Sequence, residues 1–145
     1  MPDDTRASAA RDMNVPPALG ALEAAVYVSL ATFRKSGDRI ATPVWCAPDG
    51  VDFYFFSAGD AGKVKRLRNS DRAALATCDY RGNLSSGWAD ASAVVLEDDR
   101  DISRALRALR RKYGWQMWMA DAGAKLTGRY YRRAYIRARL ASRFE

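Results

Sequence analysis

Apolar positions in this chain change their spacing several times, and each change marks an element. Leu19, Leu22, Ala25 and Val26 recur at helical spacing behind Pro16-Pro17, which predicts a short helix with Pro17 near its start. Tyr27 to Phe33 is dense in β-branched and aromatic residues and runs into the turn Lys35-Ser36-Gly37-Asp38, so it reads as a strand. Ile40 to Cys46 is the return strand. Pro43 inside it donates no ladder hydrogen bond, so the strand has an edge, a bulge or a ligand there. Pro48-Asp49-Gly50 then turns the chain into Val51 to Ser57, completing an antiparallel meander. Gly59-Asp60-Ala61-Gly62 breaks the sheet, and Lys63 to Asn69 reads as a short basic helix with Val64 and Leu67 on its inner side.

Strand spacing returns at Ala73 to Cys78, turns at Asp79 to Asn83, and resumes from about Gly87 to Glu97. Asp98-Asp99 places negative charge at a helix start. Ile102, Ala105, Leu106, Leu109 and Tyr113 form the buried stripe of that helix, arginines lie away from it or at its margins, and Gly114 stops it. Trp115 to Ala124 is aromatic and Met-rich, a second short helix or a structured loop. Tyr130 to Leu140 alternates, with Ala134, Ile136 and Ala138 on one face and Arg133, Tyr135, Arg137 and Arg139 on the other. About six strands and three or four helices predict a mainly β, α+β fold: a small antiparallel barrel with peripheral helices. Residues 1–15 lack periodicity and read as a mobile N-terminal arm before one domain over 16–145.

Composition narrows the function classes. At 145 residues and 48% apolar, the chain suits a single globular domain and excludes wholesale disorder. No apolar run approaches the roughly 20 residues that span a bilayer, and Met1 to Asp12 carries no apolar signal core. A cytoplasmic protein with no membrane partner is therefore expected. Cys46 and Cys78 stand far apart, among apolar strand residues, where structural burial is the expectation. The chain has no histidine, which removes Ser-His-Asp and Cys-His nucleophiles, His-ligated zinc and a proximal haem histidine. An enzyme built this way needs a bound organic cofactor for its difficult step. The net charge of +7 points to an anionic partner: nucleic acid, phospholipid, or a small molecule bearing phosphates or carboxylates.

The segment Ser57 to Asn69 concentrates that charge. A strand ends, a glycine-bearing loop turns, and Lys63 and Lys65 occupy the first turn of a helix, against the helix dipole. A bound phosphate would explain the mismatch, because free backbone N–H groups at a helix start already favour anions. A solvated basic helix is the plainer alternative. The segment is no nucleoside-triphosphate loop, since Val64 follows Lys63 where GxxxxGK(S/T) requires a hydroxyl. Nor does it carry the GxGxxG dinucleotide spacing. Thr42-Pro43-Val44-Trp45 offers unpaired backbone to a flat heterocycle with Trp45 as a wall, or else Pro43 marks an edge and Trp45 is core. Tyr113, Trp115, Trp118, Tyr130 and Tyr131 read as core or dimer packing, and Asp98, Asp99 and Asp101 as helix-start acids with no metal site. Nucleic acid is a weaker reading. Basic clusters at Lys63 to Arg72 and Arg129 to Arg143 are interleaved with aromatics, yet Phe53 to Phe56 carries bulk on both faces, unlike an exposed stacking platform.

Taken in order, Tyr27 to Lys35, Ala41 to Trp45 and Gly62 to Asn69 resemble the pyridoxamine 5'-phosphate oxidase-like split-barrel proteins. Arg110-Arg111-Lys112-Tyr113-Gly114-Trp115-Gln116 is similar to one subgroup of the branch that uses the deazaflavin coenzyme F420. The resemblance covers roughly residues 20–140. It implies a split β-barrel of the FMN-binding type, and a homodimer with cofactor sites at the subunit interface. It further implies an oxidoreductase passing a hydride between F420, or alternatively FMN, and a small unsaturated substrate. By position, Lys63 and Lys65 would hold the cofactor phosphate around Val64, with Ser57 assisting. Thr42, Pro43 and Val44 would border the ring with Trp45 beside it. Arg68 would meet the charged tail, and Trp88 would reach in from the other subunit.

Overall fold

β-Branched and aromatic residues cluster in Tyr27–Phe33 and Phe53–Phe56, and six strands close on one another. The computed structural model describes residues 14–141, and the expectation for the arm at 1–13 lies outside the described residues. The strands are β1 (Tyr27–Phe33), β2 (Arg39–Asp49), β3 (Asp52–Ala58), β4 (Arg72–Cys78), β5 (Ala89–Val95) and β6 (Arg133–Leu140). They form a closed antiparallel barrel in the order β1-β2-β3-β6-β5-β4. Helices α1 (Leu19–Ala24), α2 (Gly62–Asn69), α3 (Asp99–Tyr113) and α4 (Trp115–Thr127) stand around it, and Arg129–Arg132 is a 3-10 turn.

The barrel interior is filled by alternate residues of the strands. Val28, Leu30, Cys46, Phe53, Phe55, Leu75 and Ile136 are buried there, with Leu22 of α1 and Leu67 of α2 joining the same core. A second core lies outside the barrel wall, where Ala47, Tyr54 and Tyr135 meet Ala105, Leu109 and Tyr113 of α3 and Met117 of α4. Strand β3 is consequently buried on both faces, as the bulk of Phe53 to Phe56 requires. The same cover reaches β6. On the face it shares with the arginines, Tyr135 is buried beneath the helices.

Helix α3 begins as its sequence predicts. Asp98 caps it, its Oδ1 accepting from the Arg100 N–H at 2.7 Å, and Asp99 and Asp101 lie in its first turn. Gly114 separates α3 from α4 with φ +54° and ψ −121°, a backbone state that suits glycine. Several boundaries differ from the sequence reading, among them β2, which runs on past Cys46 to Asp49. Strand β5 is shorter than Gly87 to Glu97, Trp115–Thr127 is a full helix, and β6 starts at Arg133 because the chain first makes its 3-10 turn.

Candidate functional site

The barrel is not zipped along its whole length. β2 pairs with β1 from Arg39 to Trp45, but its ladder to β3 covers only Cys46–Asp49 opposite Asp52–Phe55. Beyond that point Phe56, Ser57 and Ala58 pair only with Tyr135, Ala134 and Arg133 of β6. The N–H and C=O of Cys46 face the β1 side, where they meet Tyr113 and Lys112. Backbone groups alternate along a strand, so those of Trp45 and the carbonyl of Pro43 face the edge that β3 has left. Pro43 has no N–H to continue that ladder, which accounts for an opening at this place. Thr42 lies beside it, and its Oγ1 is the buried side-chain oxygen without a hydrogen-bond partner among the described residues. The β4–β5 loop packs on Pro43: a Cβ added to Gly82 would lie 3.6 Å from the proline ring.

Trp45 is half-buried and packs against the outer core. Its ring stacks on Tyr113 with centroids 4.6 Å apart and meets Phe56 edge-on at 6.0 Å. The last two residues of α3 then fasten the strands. Tyr113 Oη accepts from the Cys46 N–H at 2.8 Å and donates to the Val26 carbonyl at 2.7 Å. Lys112 Nζ donates to the carbonyls of Ala25 and Cys46. Burial holds the Lys112 ammonium below the ordinary lysine range. Burial also pushes the Cys46 thiol up to about 12, keeping it protonated and unreactive.

Helix α2 carries the second group of candidates. Lys63 is half-buried, whereas Lys65 and Arg68 are exposed. Val64 is wholly buried, on the inner side of the helix as the sequence predicts, so only its backbone is available to a ligand. Arg66 is the residue that reading left out of the site. Its Nε donates to Thr32 Oγ1 at 2.7 Å, and its guanidinium folds back over the helix start, where a Cβ on Gly62 would meet Nη1 at 2.8 Å. The four-residue spacing from a side-chain-free glycine to an arginine is the signal that could have revealed it. Burial first, and the Arg66 charge second, hold the Lys63 ammonium below its usual value. Among the described residues no carboxylate pairs with any cation of α2. The turn therefore gathers free helix N–H groups, Lys63 and Arg66, and leaves their charge uncompensated.

Ser57 opens into a cavity of about 900 Å³. Phe56, Ser57 and Gly59 form one wall, and Arg129, Arg132 and Arg133 another. Gly59 is required here: its N–H donates to the Arg132 carbonyl at 2.8 Å, and a Cβ would collide with that carbonyl. Arg133 is fixed by a 2.7 Å ion pair with buried Asp121 and lies over the Phe56 ring at 4.5 Å. Arg129 and Arg132 are exposed and make no ion pair among the described residues. Lys63 and Lys65 do not line this cavity. Trp88 is separate again: Arg39 lies over its ring at 4.7 Å, beside Phe33, which Arg72 covers at 3.8 Å. No group of three or more acidic or cysteine residues capable of holding a metal occurs among the described residues.

A β-barrel split at a proline, with a basic helix start after its third strand, defines the class, and sequence comparison agrees. The family model for pyridoxamine 5'-phosphate oxidase matches residues 17–135, and the chain belongs to that family. No curated protein sequence matches it. Solved structures share the fold at low identity. A Bacteroides thetaiotaomicron protein with a proposed role in 5-nitroimidazole antibiotic resistance superposes with a TM-score of 0.62 at 12% identity, covering 88% of this chain and 82% of the other. HutZ, the heme storage protein of Vibrio cholerae, gives 0.59 at 11% identity over 81% and 82%. A FAD-binding protein of Mesorhizobium loti gives 0.55 at 16% identity over 85% and 84%. The fold thus accompanies flavin binding and heme storage alike, and the choice falls to the site.

Proposed function

We propose that the protein is an oxidoreductase that binds the deazaflavin coenzyme F420 along the split between β2 and β3. One observation carries this reading: the uncompensated Lys63–Arg66 pair at the start of α2, next in the chain to the strand that leaves β2 open. A phosphate on the α2 N-terminus would receive backbone N–H groups and both cations. The exposed edge at Pro43 and Trp45 would offer backbone groups to the rim of a flat ring, and the orphaned Thr42 hydroxyl would gain a partner. Spare cations at Arg68, Arg129 and Arg132 suit a ligand with several negative charges, such as a tail of carboxylates. When bound, the coenzyme supplies hydride transfer to an unsaturated small-molecule substrate. The chain itself supplies position and shields the ring from water. Trp88 of a second copy completing each site is part of the same proposal, with a homodimer as the working form.

Titration with F420 and with FMN tests it. F420 should bind in the micromolar range and weaken at least tenfold in Lys63→Ala and in Arg66→Ala. Binding of FMN alone would transfer the site to a flavin, either as an FMN-dependent oxidoreductase or as a carrier without catalysis. If neither cofactor binds, the reading is wrong.

A further inference from the structure

Helix α4 presents an apolar face to solvent. Trp115 and Trp118 are each 70% exposed, Met119 56% and Leu126 89%. At 100° per residue these four and Ala122 fall within an arc of about 100°, opposite the side on which Met117 and Asp121 are buried. Core packing, one of the two sequence readings for Trp115 and Trp118, does not occur. Scattered apolar residues on a surface need no explanation, but a continuous stripe of two tryptophans, a methionine and a leucine does.

The charge around the stripe selects its occupant. Between positions 107 and 137 the chain has nine Lys and Arg against one acid, Asp121. That acid is buried between Arg110 and Arg133, and the region keeps a strong positive excess. Arg111 precedes the stripe, Lys125 flanks it, and Arg129 and Arg132 follow it, all exposed. A second copy docked stripe to stripe would bring these like charges together, which disfavours that arrangement. An anionic lipid surface satisfies both halves: tryptophan and leucine enter the headgroup boundary while arginine and lysine meet lipid phosphates. Thirteen residues, about 20 Å of helix, suit a helix lying in the interface. No helix among the described residues is long and apolar enough to cross a membrane.

We infer that the protein docks on anionic membrane surfaces through the outer face of α4, lying on the bilayer without spanning it. This departs from the sequence expectation of no membrane partner and shares only Arg129 and Arg132 with the cofactor assignment. Flotation with phosphatidylcholine vesicles, with and without 30% (roughly a cell-like fraction) phosphatidylglycerol, tests it. The full chain should float with the anionic vesicles at least tenfold more than with neutral ones and release as salt rises. The double variant Trp115→Ser/Trp118→Ser should lose that binding with its unfolding midpoint unchanged, since both rings are exposed. Leu126→Glu provides a second variant by a different chemistry. No flotation with anionic vesicles overturns the inference, as does flotation unchanged in both variants. A change of oligomeric state in the double variant would likewise overturn it and assign the stripe to a second copy.

Discussion

Tyr113 joins three parts of the molecule that are remote in sequence. Its ring stacks on Trp45, and its hydroxyl bridges the Cys46 N–H and the Val26 carbonyl, so one side chain holds α3 to both β1 and β2. In Tyr113→Phe the packing stays and two buried backbone groups lose their partner. The expected cost is about 1–3 kcal/mol in denaturant unfolding. Lys63 yields a prediction in pH. A lysine whose folded value lies below the ordinary 10.5 is charged at a cost. The unfolded chain therefore binds more protons between the two values, and stability contributed by this group rises with pH through that window. Anion binding runs the other way. Cofactor affinity should fall with rising pH earlier than an ordinary lysine would dictate, and Lys63→Arg should flatten that fall when titrated between about pH 7 and 10. At this scale the sequence revealed Lys63 and Ser57 through their place at a strand end and helix start. It hid Arg66, whose role depends on the side chain folding back over Gly62.

Elements were easier to foresee than their ends. The β-branched and aromatic density of Tyr27 to Phe33 and the periodicity of Asp99 to Tyr113 each report burial, and both elements appear where expected. The two faces of β6 were foreseen, but nothing local in Arg133 to Leu140 reveals that α3 covers Tyr135 from outside. The opening beside Pro43 was legible as a choice among edge, bulge and ligand, and only the β2–β3 register decides it. Two glycines set how the elements meet. Gly114→Ala would force a side chain into φ +54°, ψ −121° and should cost about 1–3 kcal/mol, read as a lowered unfolding midpoint. Gly59→Ala would push the end of β3 away from the Arg132 carbonyl. It should be the more damaging of the two for ligand binding, since that contact shapes the cavity wall.

For the whole molecule, the positive charge gathers at the α2 start and around Arg129 and Arg132, which both line the cavity and border the α4 stripe. A prediction follows for assembly. The proposed dimer should appear by sedimentation as twice the chain mass at micromolar concentration. It should persist in Trp115→Ser/Trp118→Ser, because α4 is assigned elsewhere. Composition conveyed the sum of these charges and the lack of histidine, but their division among surfaces needs the closed barrel.

The grip of Lys112 and Tyr113 on the strands also bears on how the chain folds and comes apart. These contacts link positions 66, 67 and 87 residues apart in sequence, so they can form only after the barrel has closed and α3 has docked. They belong to the late part of folding. Removing the Tyr113 hydroxyl should therefore leave the refolding rate nearly unchanged and accelerate unfolding by most of its equilibrium effect, a low φ-value. The time the protein stays folded is then set at the last turn of α3, which grips β2 three residues from the open edge at Pro43.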